Sequence, residues 1–385
     1  MKRVLLGMSG GVDSSVAAIV LLEQGYEVIG ATMKLWEPEN EGEESKCCGN
    51  DNILDAKRVC DKLGIPHYTL NFKEEFKECV IDNFIETYKN AITPNPCIEC
   101  NKFLKFHYFF KKAMELECDY IATGHYAKTE FSKKYNQFVL KKSNAGKKDQ
   151  SYVLYNIPKN IIGKVLFPLG NFENKEQIRE IAKQHRLLTA KKPDSQEICF
   201  IPDDDYAGFL IRSGKVKSEP GQIVNKEGKI LGTHRGLIHY TIGQRKGLGI
   251  SNENPLYVID LDIKNNKLIV GEEKDIYSKV LYAKDINYTV DIDKTKPIKI
   301  QAKIRYSAKE GTATLYPEKN GITKVEFAEP QRAITRGQSV VFYIDDVLIG
   351  GGKIIWHKCN FHKYNILGDI YVSICKTIWK DKIHI

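Results

Sequence analysis

The feature that most constrains the fold is a glycine-containing loop near the start of the chain. The loop is Ser9-Gly10-Gly11-Val12-Asp13-Ser14. The apolar stretch 4–8 precedes it, and a second apolar run, 15–22, follows it and ends before Gly25. Glycines let the backbone approach an oxyanion, while serine hydroxyls and the N–H groups of a helix N-terminus donate to it. The pattern predicts a strand, a phosphate-binding turn and a helix.

Two common nucleotide-binding loops are excluded by the sequence. Gly-Lys-Ser and Gly-Lys-Thr are absent, which excludes a Walker A loop. The strand is not followed by G-x-G-x-x-G, which excludes a dinucleotide-binding fingerprint. An ordinary strand-to-helix turn is the other interpretation, but it does not require the full serine, glycine and aspartate pattern. The loop therefore indicates a phosphate site of a different type.

The composition is that of an ordinary globular protein with a moderate positive charge. Among 385 residues, 42% are hydrophobic and 28% are charged, and the formal net charge is +9. This length predicts two or three domains. An apolar run of about 18 residues is absent, so we expect no membrane span. Met1-Lys2-Arg3 leads directly into the first strand, so we expect no cleavable signal and a cytoplasmic location.

Strand and helix patterns alternate over the first 200 residues. Strands are predicted at 4–8, 26–33, 66–70 and 120–124, and helices at 15–22, 51–63, 74–89 and 102–116. This alternation predicts an α/β domain built on a doubly wound parallel sheet. Such sheets bind ligands at the carboxyl ends of their strands. We therefore expect the Ser9 loop, Met33, Gly124 and His125 to surround one nucleotide.

After about residue 206 the pattern changes to short strands separated by Gly, Asn and Pro turns. Examples are 221–224, 229–232, 256–259, 267–270, 298–304, 312–315, 324–327 and 339–343. We infer a small, mostly β middle domain and a C-terminal β-barrel. The predicted units are 1–206, 207–280 and 281–356, followed by an extension, 357–385, whose role the sequence does not indicate.

Two of the ten cysteines form a Cys-x-x-Cys motif. Cys97 and Cys100 follow the segment Thr93-Pro94-Asn95-Pro96, which predicts a rigid extended loop. Cys100 is then predicted at the N-terminus of the 102–116 helix, where a thiolate is stabilised. A redox pair, a metal site, a covalent nucleophile and two buried thiols all fit this pattern. A zinc ribbon does not, because a second Cys-x-x-Cys is absent.

The other cysteines of the first 200 residues have different surroundings. Cys60, Cys79 and Cys118 lie in helical or apolar contexts and are predicted to be buried. Cys199 follows Pro193-Asp194-Ser195-Gln196-Glu197-Ile198, with polar residues on one side and apolar residues on the other. Its position is typical of the edge of a cleft, although by itself this pattern favours a structural role for Cys199 over a reactive one.

Further motifs are distributed along the chain. They are ATGHY at 122–126, KDQSY at 148–152, SQE at 195–197, HYTIGQRKGLG at 239–249, RY at 305–306 and PQRAI at 330–334. Together with GMSGGVDS at 7–14 and the TPNP segment before Cys97, this set resembles the tRNA-specific 2-thiouridylases, the MnmA family of N-type ATP pyrophosphatases. The resemblance covers residues 3–356.

The resemblance implies ATP-dependent thiolation of the wobble uridine of tRNA. In this family the C2 oxygen of the uridine is adenylated and then replaced by sulfur, with ATP and Mg²⁺ as cofactors. Cys100 is then the expected nucleophile and Cys199 the expected persulfide carrier. The implied ATP contacts are Gly7, Met8, Ser9, Gly10, Gly11, Val12, Asp13, Ser14, Met33 and Gly124. The implied tRNA contacts are Asn95, Pro96 and Cys97 beside the target base, and His125, Lys148, Asp149, Gln150, Arg305, Tyr306 and Gln338.

One position departs from the family pattern. The family usually carries Asp three residues before the nucleophile, and here that residue is Cys97. Three thiols, Cys97, Cys100 and Cys199, are thereby expected at one cleft, and they make a [4Fe–4S] cluster an alternative sulfur carrier. The persulfide route is the preferred hypothesis. It predicts that Cys100 and Cys199 come within disulfide distance in at least one state.

The middle segment adds basic and aromatic residues that predict RNA contacts. They are His234, Arg235, His239, Tyr240, Arg245 and Lys246. The partners that the resemblance implies are the anticodon loop of tRNA, with its wobble base flipped out, and a cysteine desulfurase or a sulfur-relay protein. Two other functions are open: an amidating ATP pyrophosphatase that acts on a small molecule, and an RNA-binding protein without catalysis. The basic β domains argue against the first, and the intact loop argues against the second.

Overall fold

The structure is a computed structural model that describes most of the chain. The described residues are 1–36, 50–193, 198–201, 203–317 and 321–356. The predicted extension 357–385 and the Ser195-Gln196-Glu197 motif lie outside them. In the described part, no helix combines the length and the apolar character that a bilayer crossing requires.

A parallel sheet organises the first 200 residues. Their strands are β1 (Arg3–Gly7), β2 (Glu27–Lys34), β3 (His67–Asn71), β4 (Tyr120–Ala122), β5 (Ala127–Ser132), β6 (Gln137–Lys142) and β7 (Val165–Leu166). Five of them pair in parallel in the order β3-β2-β1-β4-β7. The chain order reverses between β1 and β4, and a ligand crevice forms at such a reversal.

Helices cover both faces of this sheet, which confirms the predicted doubly wound α/β fold. They are α1 (Val12–Glu23), α2 (Asn50–Leu63), α3 (Lys73–Phe76, Lys77–Asp82 and Asn83–Lys89), α4 (Pro96–Glu99, Cys100–Tyr108 and Phe109–Glu115), α5 (Lys175–Gln184) and α6 (Tyr206–Arg212). The middle segments of α3 and α4 are π-helical. Side chains of β1 alternate between the two cores: Val4 and Leu6 pack with α1, α2 and α5, whereas Leu5 packs with α3 and α4.

Two further β units follow, as the sequence predicted. The middle unit is a sheet of β8 (Gly221–Val224), β9 (Ile230–His234), β10 (Tyr257–Asp262) and β11 (Lys267–Gly271). The last unit contains β12 (Tyr277–Tyr288), β13 (Ile298–Lys303), β14 (Gly311–Tyr316), β15 (Ile322–Arg332), β16 (Ser339–Ile344) and β17 (Val347–Trp356). These six strands pair in the order β12-β15-β14-β13-β16-β17, and pairing of β12 with β17 closes the barrel.

A hairpin of the first domain extends the barrel sheet, which the sequence analysis did not predict. Strands β5 and β6 leave the α/β domain, and β6 pairs with β17 through Lys141 with Val347 and Leu140 with Leu348. Val139 is buried in the barrel core, while Leu140 is buried in a core of the α/β domain. The hairpin therefore joins the two cores side by side.

The barrel also packs against the segment that precedes α4. The Gly337 backbone has a φ of +86°, and a Cβ atom there would overlap Ile92 and the Thr93 carbonyl. The Thr93 N–H donates to the Arg336 carbonyl at 3.1 Å. Glycine is thus required both by the backbone conformation and by the close approach of the two domains.

This close approach predicts different effects for two matched substitutions. Gly228 has the same φ of +86° as Gly337, but a Cβ atom at Gly228 would meet nothing within 4 Å. Gly228→Ala should cost about 1 kcal/mol of stability for its left-handed backbone. Gly337→Ala should cost about 1–3 kcal/mol more, because the added methyl group overpacks the domain junction. Thermal unfolding of both variants measures the difference, and equal losses would contradict a tight junction.

Candidate active site

The predicted phosphate loop connects β1 to α1 at the carboxyl edge of the sheet. Gly11 is the N-cap of α1 and, having no side chain, makes no side-chain cap hydrogen bond. The Ser14 hydroxyl accepts from the Ser9 N–H at 3.2 Å and donates to the Gly11 carbonyl at 3.1 Å. Gly10, with a φ of +70°, approaches the Asn52 backbone of α2 so closely that a Cβ atom would overlap it. The loop is therefore a rigid turn with backbone donors at a helix N-terminus, as phosphate binding requires.

The loop carboxylate, Asp13, is neutralised by a lysine that sequence analysis missed. Lys175 Nζ donates to both Asp13 carboxylate oxygens at 2.6 Å, and the Tyr126 hydroxyl donates to Oδ1 at 2.7 Å. The Lys175 side chain is only 10% exposed. It is the first residue of α5, whose N-cap is Asn174. No motif marks this lysine, since 162 residues separate it from Asp13.

A second missed lysine holds the outer side of the loop. Lys192 Nζ donates to the Gly10 carbonyl at 3.1 Å, to Asn52 Oδ1 at 2.6 Å and to Asp55 Oδ2 at 2.8 Å. It therefore ties the loop to α2 and brings a positive charge to the same edge. A charge beside an anion site strengthens binding without direct contact.

Met33 and Gly124 lie near the loop, and their contact with a nucleotide stays a prediction. The Met33 methyl group lies 3.8 Å from where a Gly7 Cβ atom would be. A Cβ atom on Gly124, directly after β4, would lie 3.0 Å from the Ser14 backbone nitrogen. A side chain at Gly124 would have to displace α1 or the end of β4 by a few tenths of an ångström, so glycine allows this close approach.

His125 connects the phosphate loop to α4. Its Nδ1 pairs with the Thr123 hydroxyl at 2.8 Å and its Nε2 with Lys105 Nζ at 3.4 Å. Its ring also contacts Phe106, with centroids 6.3 Å apart. Burial, with a contribution from the Lys105 ammonium, holds the pKa of His125 well below its usual range. The imidazole is therefore neutral at physiological pH.

The prediction that Cys100 begins a helix is wrong. The helix α4 begins at Pro96, with Asn95 as its N-cap and the Asn95 side chain accepting from the Ile98 N–H at 3.3 Å. The sequence analysis took Asn-Pro as part of an extended loop, but Asn at the N-cap followed by Pro at the first position is a helix start. Cys97 is thus exposed in the first turn, and Cys100 is buried in the second.

Cys199 packs against the same core that contains Cys100. It is half-buried, and the neighbouring Phe200 is fully buried between Phe76 of α3 and Phe209 of α6. Both thiols therefore lie on the α3–α4 side of the sheet. Their approach to disulfide distance stays a prediction. Cys60 and Cys118 are buried as expected, whereas Cys79 is half-buried.

Several residues predicted to contact tRNA are engaged inside the protein. The Asp149 carboxylate is buried and accepts from the Ser143 N–H at 2.8 Å and the Ser151 hydroxyl at 2.6 Å. The Gln150 side chain accepts from the Tyr126 N–H at 2.9 Å. The Gln338 amide donates to the Thr93 and Pro94 carbonyls. These side chains hold the site together in this structure, and contact with tRNA stays a prediction for them.

Other predicted contacts face solvent around Cys97. Tyr306 is 41% exposed, and Lys303 Nζ lies 5.5 Å from the centre of its ring. Burial of its inner part raises the pKa of Tyr306, with smaller contributions from negative charge on Asp149 and Cys97. Arg305 donates to the Arg332 carbonyl at 3.1 Å, and Lys148 is exposed. The exposed Tyr306 ring and the exposed Cys97 thiol are therefore close to each other, with Lys303 beside the ring.

The predicted basic and aromatic face of the middle domain needs a correction. His234 and Tyr240 are buried, and their rings pack against each other with centroids 5.9 Å apart. His239 pairs with the Ser218 hydroxyl at 2.9 Å. These side chains serve the small core, because a domain of this size needs its aromatic residues inside. The exposed residues of that set are Arg235, Arg245 and Lys246.

A [4Fe–4S] cluster would require the cysteine thiols to converge on one point. Within the parts of the chain that the structure covers, no group of three or more His, Cys, Asp or Glu side chains is arranged to hold a metal ion. Cys97, Cys100 and Cys199 therefore do not form a ready ligand set in this conformation.

Each of the three units of the chain matches a separate family model. Residues 2–203 match the tRNA methyl transferase HUP domain, 209–272 the tRNA methyl transferase PRC-barrel domain, and 278–354 the aminomethyltransferase beta-barrel domain.

Similar proteins match nearly the whole chain. The tRNA-specific 2-thiouridylase MnmA of Clostridioides difficile is 51% identical over 355 residues, which cover 92% of this chain and 98% of that protein. The protein of the same name from Acetivibrio thermocellus is 51% identical over 358 residues, which cover 92% of this chain and 99% of that protein. A solved 4-thiouridine synthetase–RNA complex with bound ATP is 19% identical, and the alignment covers 55% of this chain and 50% of that chain. The TM-score is only 0.33, so this likeness carries no weight here. The two relatives and the family models together place the chain in one family: it belongs to the tRNA-specific 2-thiouridylases.

Proposed function

We propose that this chain uses ATP to activate the C2 oxygen of a tRNA wobble uridine and replaces that oxygen with sulfur. Family membership supports the reaction. The structural observation that carries it is the bridge formed by Gly124 and His125. One end of the bridge packs on Ser14 of the phosphate loop, and the other contacts Lys105 and Phe106 of the helix that bears Cys100. Nucleotide chemistry and thiol chemistry then take place on neighbouring elements.

Adenylation solves a chemical difficulty of the uridine. Its C2 oxygen is a poor leaving group, and attack of this oxygen on the α-phosphorus of ATP releases pyrophosphate and makes AMP the leaving group. The loop from Ser9 to Ser14 holds the departing pyrophosphate through its N–H groups. Lys175 cancels the Asp13 charge, which otherwise repels the triphosphate.

The loop also fits the Mg²⁺ that accompanies ATP. Mg²⁺ in such sites keeps several waters and binds one or two carboxylates together with the phosphates. Asp13 is the carboxylate of the loop, and its side chain is 32% exposed. When bound, the ion supplies further neutralisation of phosphate charge.

Sulfur transfer in this proposal uses two cysteines. A sulfur donor, a cysteine desulfurase or a relay protein, leaves a persulfide on Cys199. Its terminal sulfur attacks C2 and displaces AMP. The Cys100 thiolate then attacks the Cys199 sulfur, which forms a Cys100–Cys199 disulfide and leaves the thiocarbonyl on the base. Two electrons from an external thiol reductant restore both thiols.

The [4Fe–4S] alternative needs three thiolates that converge on one point. Because the described side chains offer no such set, the proposal keeps the persulfide route. Anaerobic purification followed by iron and sulfide analysis separates the two routes. An iron-free enzyme with full activity excludes the cluster, and activity that rises and falls with iron content overturns the persulfide proposal.

The experiment that tests the function itself combines ATP, purified tRNA, a persulfide donor (a cysteine desulfurase with cysteine) and a thiol reductant. We expect 2-thiouridine at the wobble position in nucleoside mass spectrometry, and pyrophosphate release that requires tRNA. Pyrophosphate release with a small molecule in place of tRNA would favour an amidating synthetase. Failure to bind ATP would favour a non-catalytic RNA-binding protein.

Replacing Lys175 should weaken ATP binding. Lys175→Met leaves the Asp13 carboxylate without its ammonium partner beside the triphosphate. Loss of one charged hydrogen-bonding partner costs about 1.5–3 kcal/mol, so ATP affinity should fall roughly tenfold or more. Lys183→Met, on the exposed face of the same helix, is the matched control and should bind ATP normally. Calorimetric titration measures both, and an unchanged affinity of Lys175→Met would contradict the role of this pair.

Replacing either proposed catalytic thiol should separate the two half-reactions. Cys100→Ser and Cys199→Ser should retain tRNA-dependent pyrophosphate release but lose at least about 99% of thiolation, since no thiolate attacks or carries sulfur. Cys79→Ser, which alters a half-buried thiol of α3, should thiolate at the normal rate. Full thiolation by Cys199→Ser with a persulfide donor would rule out this cysteine as the carrier.

A further inference from the structure

The C-terminal barrel holds the thiol-bearing helix at two places. Before the helix, Gln338 Nε2 donates to the Thr93 carbonyl at 3.2 Å and to the Pro94 carbonyl at 3.0 Å. Within the helix, Lys353 Nζ of β17 pairs with Glu99 Oε1 at 2.7 Å. Glu99 stands between Cys97 and Cys100 in sequence. The barrel therefore contacts both ends of the first turn of α4.

The Glu99–Lys353 pair lies at the domain junction, where Glu99 is buried and Lys353 is half-buried. Glu99 is 4% exposed, and the buried Tyr155 lies close to both charges. A buried carboxylate without a partner is costly. The Glu99 side chain is therefore restricted to directions in which it reaches the Lys353 ammonium. Successive residues of an α-helix are about 100° apart around its axis. Fixing the direction of Glu99 therefore also fixes the direction of Cys100, its neighbour in the chain.

We infer that Glu99 and Lys353 are positioning residues that hold Cys100 at its working orientation. The inference rests on the proposed function and adds to it a role for the barrel in sulfur transfer, separate from any contact with RNA. Sulfur transfer needs the two reacting sulfur atoms at a defined distance and angle, whereas adenylation takes place at the phosphate loop. Loss of the pair should therefore slow the thiol step and leave adenylation unchanged.

A cycle of variants tests this inference: Lys353→Met, Glu99→Gln and the double variant. Lys353→Met leaves the buried Glu99 carboxylate without this ammonium and should lower the melting temperature, whereas Glu99→Gln removes the buried charge and should lower it less. The double change removes both charges and should recover most of that loss. A misplaced thiol costs about 10–100-fold in rate, so the thiolation kcat should stay low in all three, while the KM for tRNA and the pyrophosphate release stay within about twofold. Lys353→Arg, which keeps the charge, should recover kcat.

A second measurement needs neither ATP nor tRNA, so it separates this inference from the proposed function. The alkylation rate of Cys100, followed by peptide mass spectrometry, should change several-fold in Lys353→Met and in the double variant. It should be normal in Lys299→Met, which removes an exposed barrel lysine. If the double variant recovers kcat and the alkylation rate together with stability, the pair is only structural and the inference is overturned. Absence of thiolation by the unaltered enzyme would instead overturn the proposed function.

Discussion

Three domains meet at the short segment from Arg336 to Gln338, and the geometry of the site depends on it. The Arg336 guanidinium pairs with Asp260 of the middle sheet at 2.6 Å, while its carbonyl accepts from Thr93 of the α/β domain. Gln338 then holds the carbonyls of Thr93 and Pro94. Each contact satisfies a backbone or charged group that would otherwise be costly to bury. The segment that leads to the two helix thiols is therefore shaped by residues more than 240 positions away.

At the phosphate loop, charge is likewise compensated by residues that are distant in sequence. Asp13 belongs to the loop, but Lys175 and Tyr126, which neutralise and orient it, come from separate elements. Lys192 reaches the same loop from beyond α5. The loop motif supplies the hydrogen-bond donors for phosphate. Charged residues elsewhere in the domain set the electrostatic potential around those donors. Each partner is thus part of the site although it lies outside the motif.

Local patterns predicted local structure well. The strand, turn and helix around Ser9 formed as expected, because apolar periodicity and glycine placement are properties of neighbouring residues. The start of α4 was predicted wrongly because Asn-Pro fits both an extended loop and a helix cap, and here Asn95 caps the helix by accepting from the Ile98 N–H. The pairing of the β5–β6 hairpin with β17 and the role of Lys175 were missed because these partners are distant in sequence. His234 and Tyr240 were assigned to a surface because composition does not tell which face of a small sheet is inside.

The shared hairpin has a consequence for how the protein is made. Strand β6 emerges from the ribosome long before β17, its partner, which is the last strand of the described chain. Until β17 has been synthesised, the edge of β6 that pairs with it is unpaired. Unpaired edges of this kind promote association between nascent chains. Completion of the barrel therefore protects the newly synthesised first domain as well as completing the enzyme.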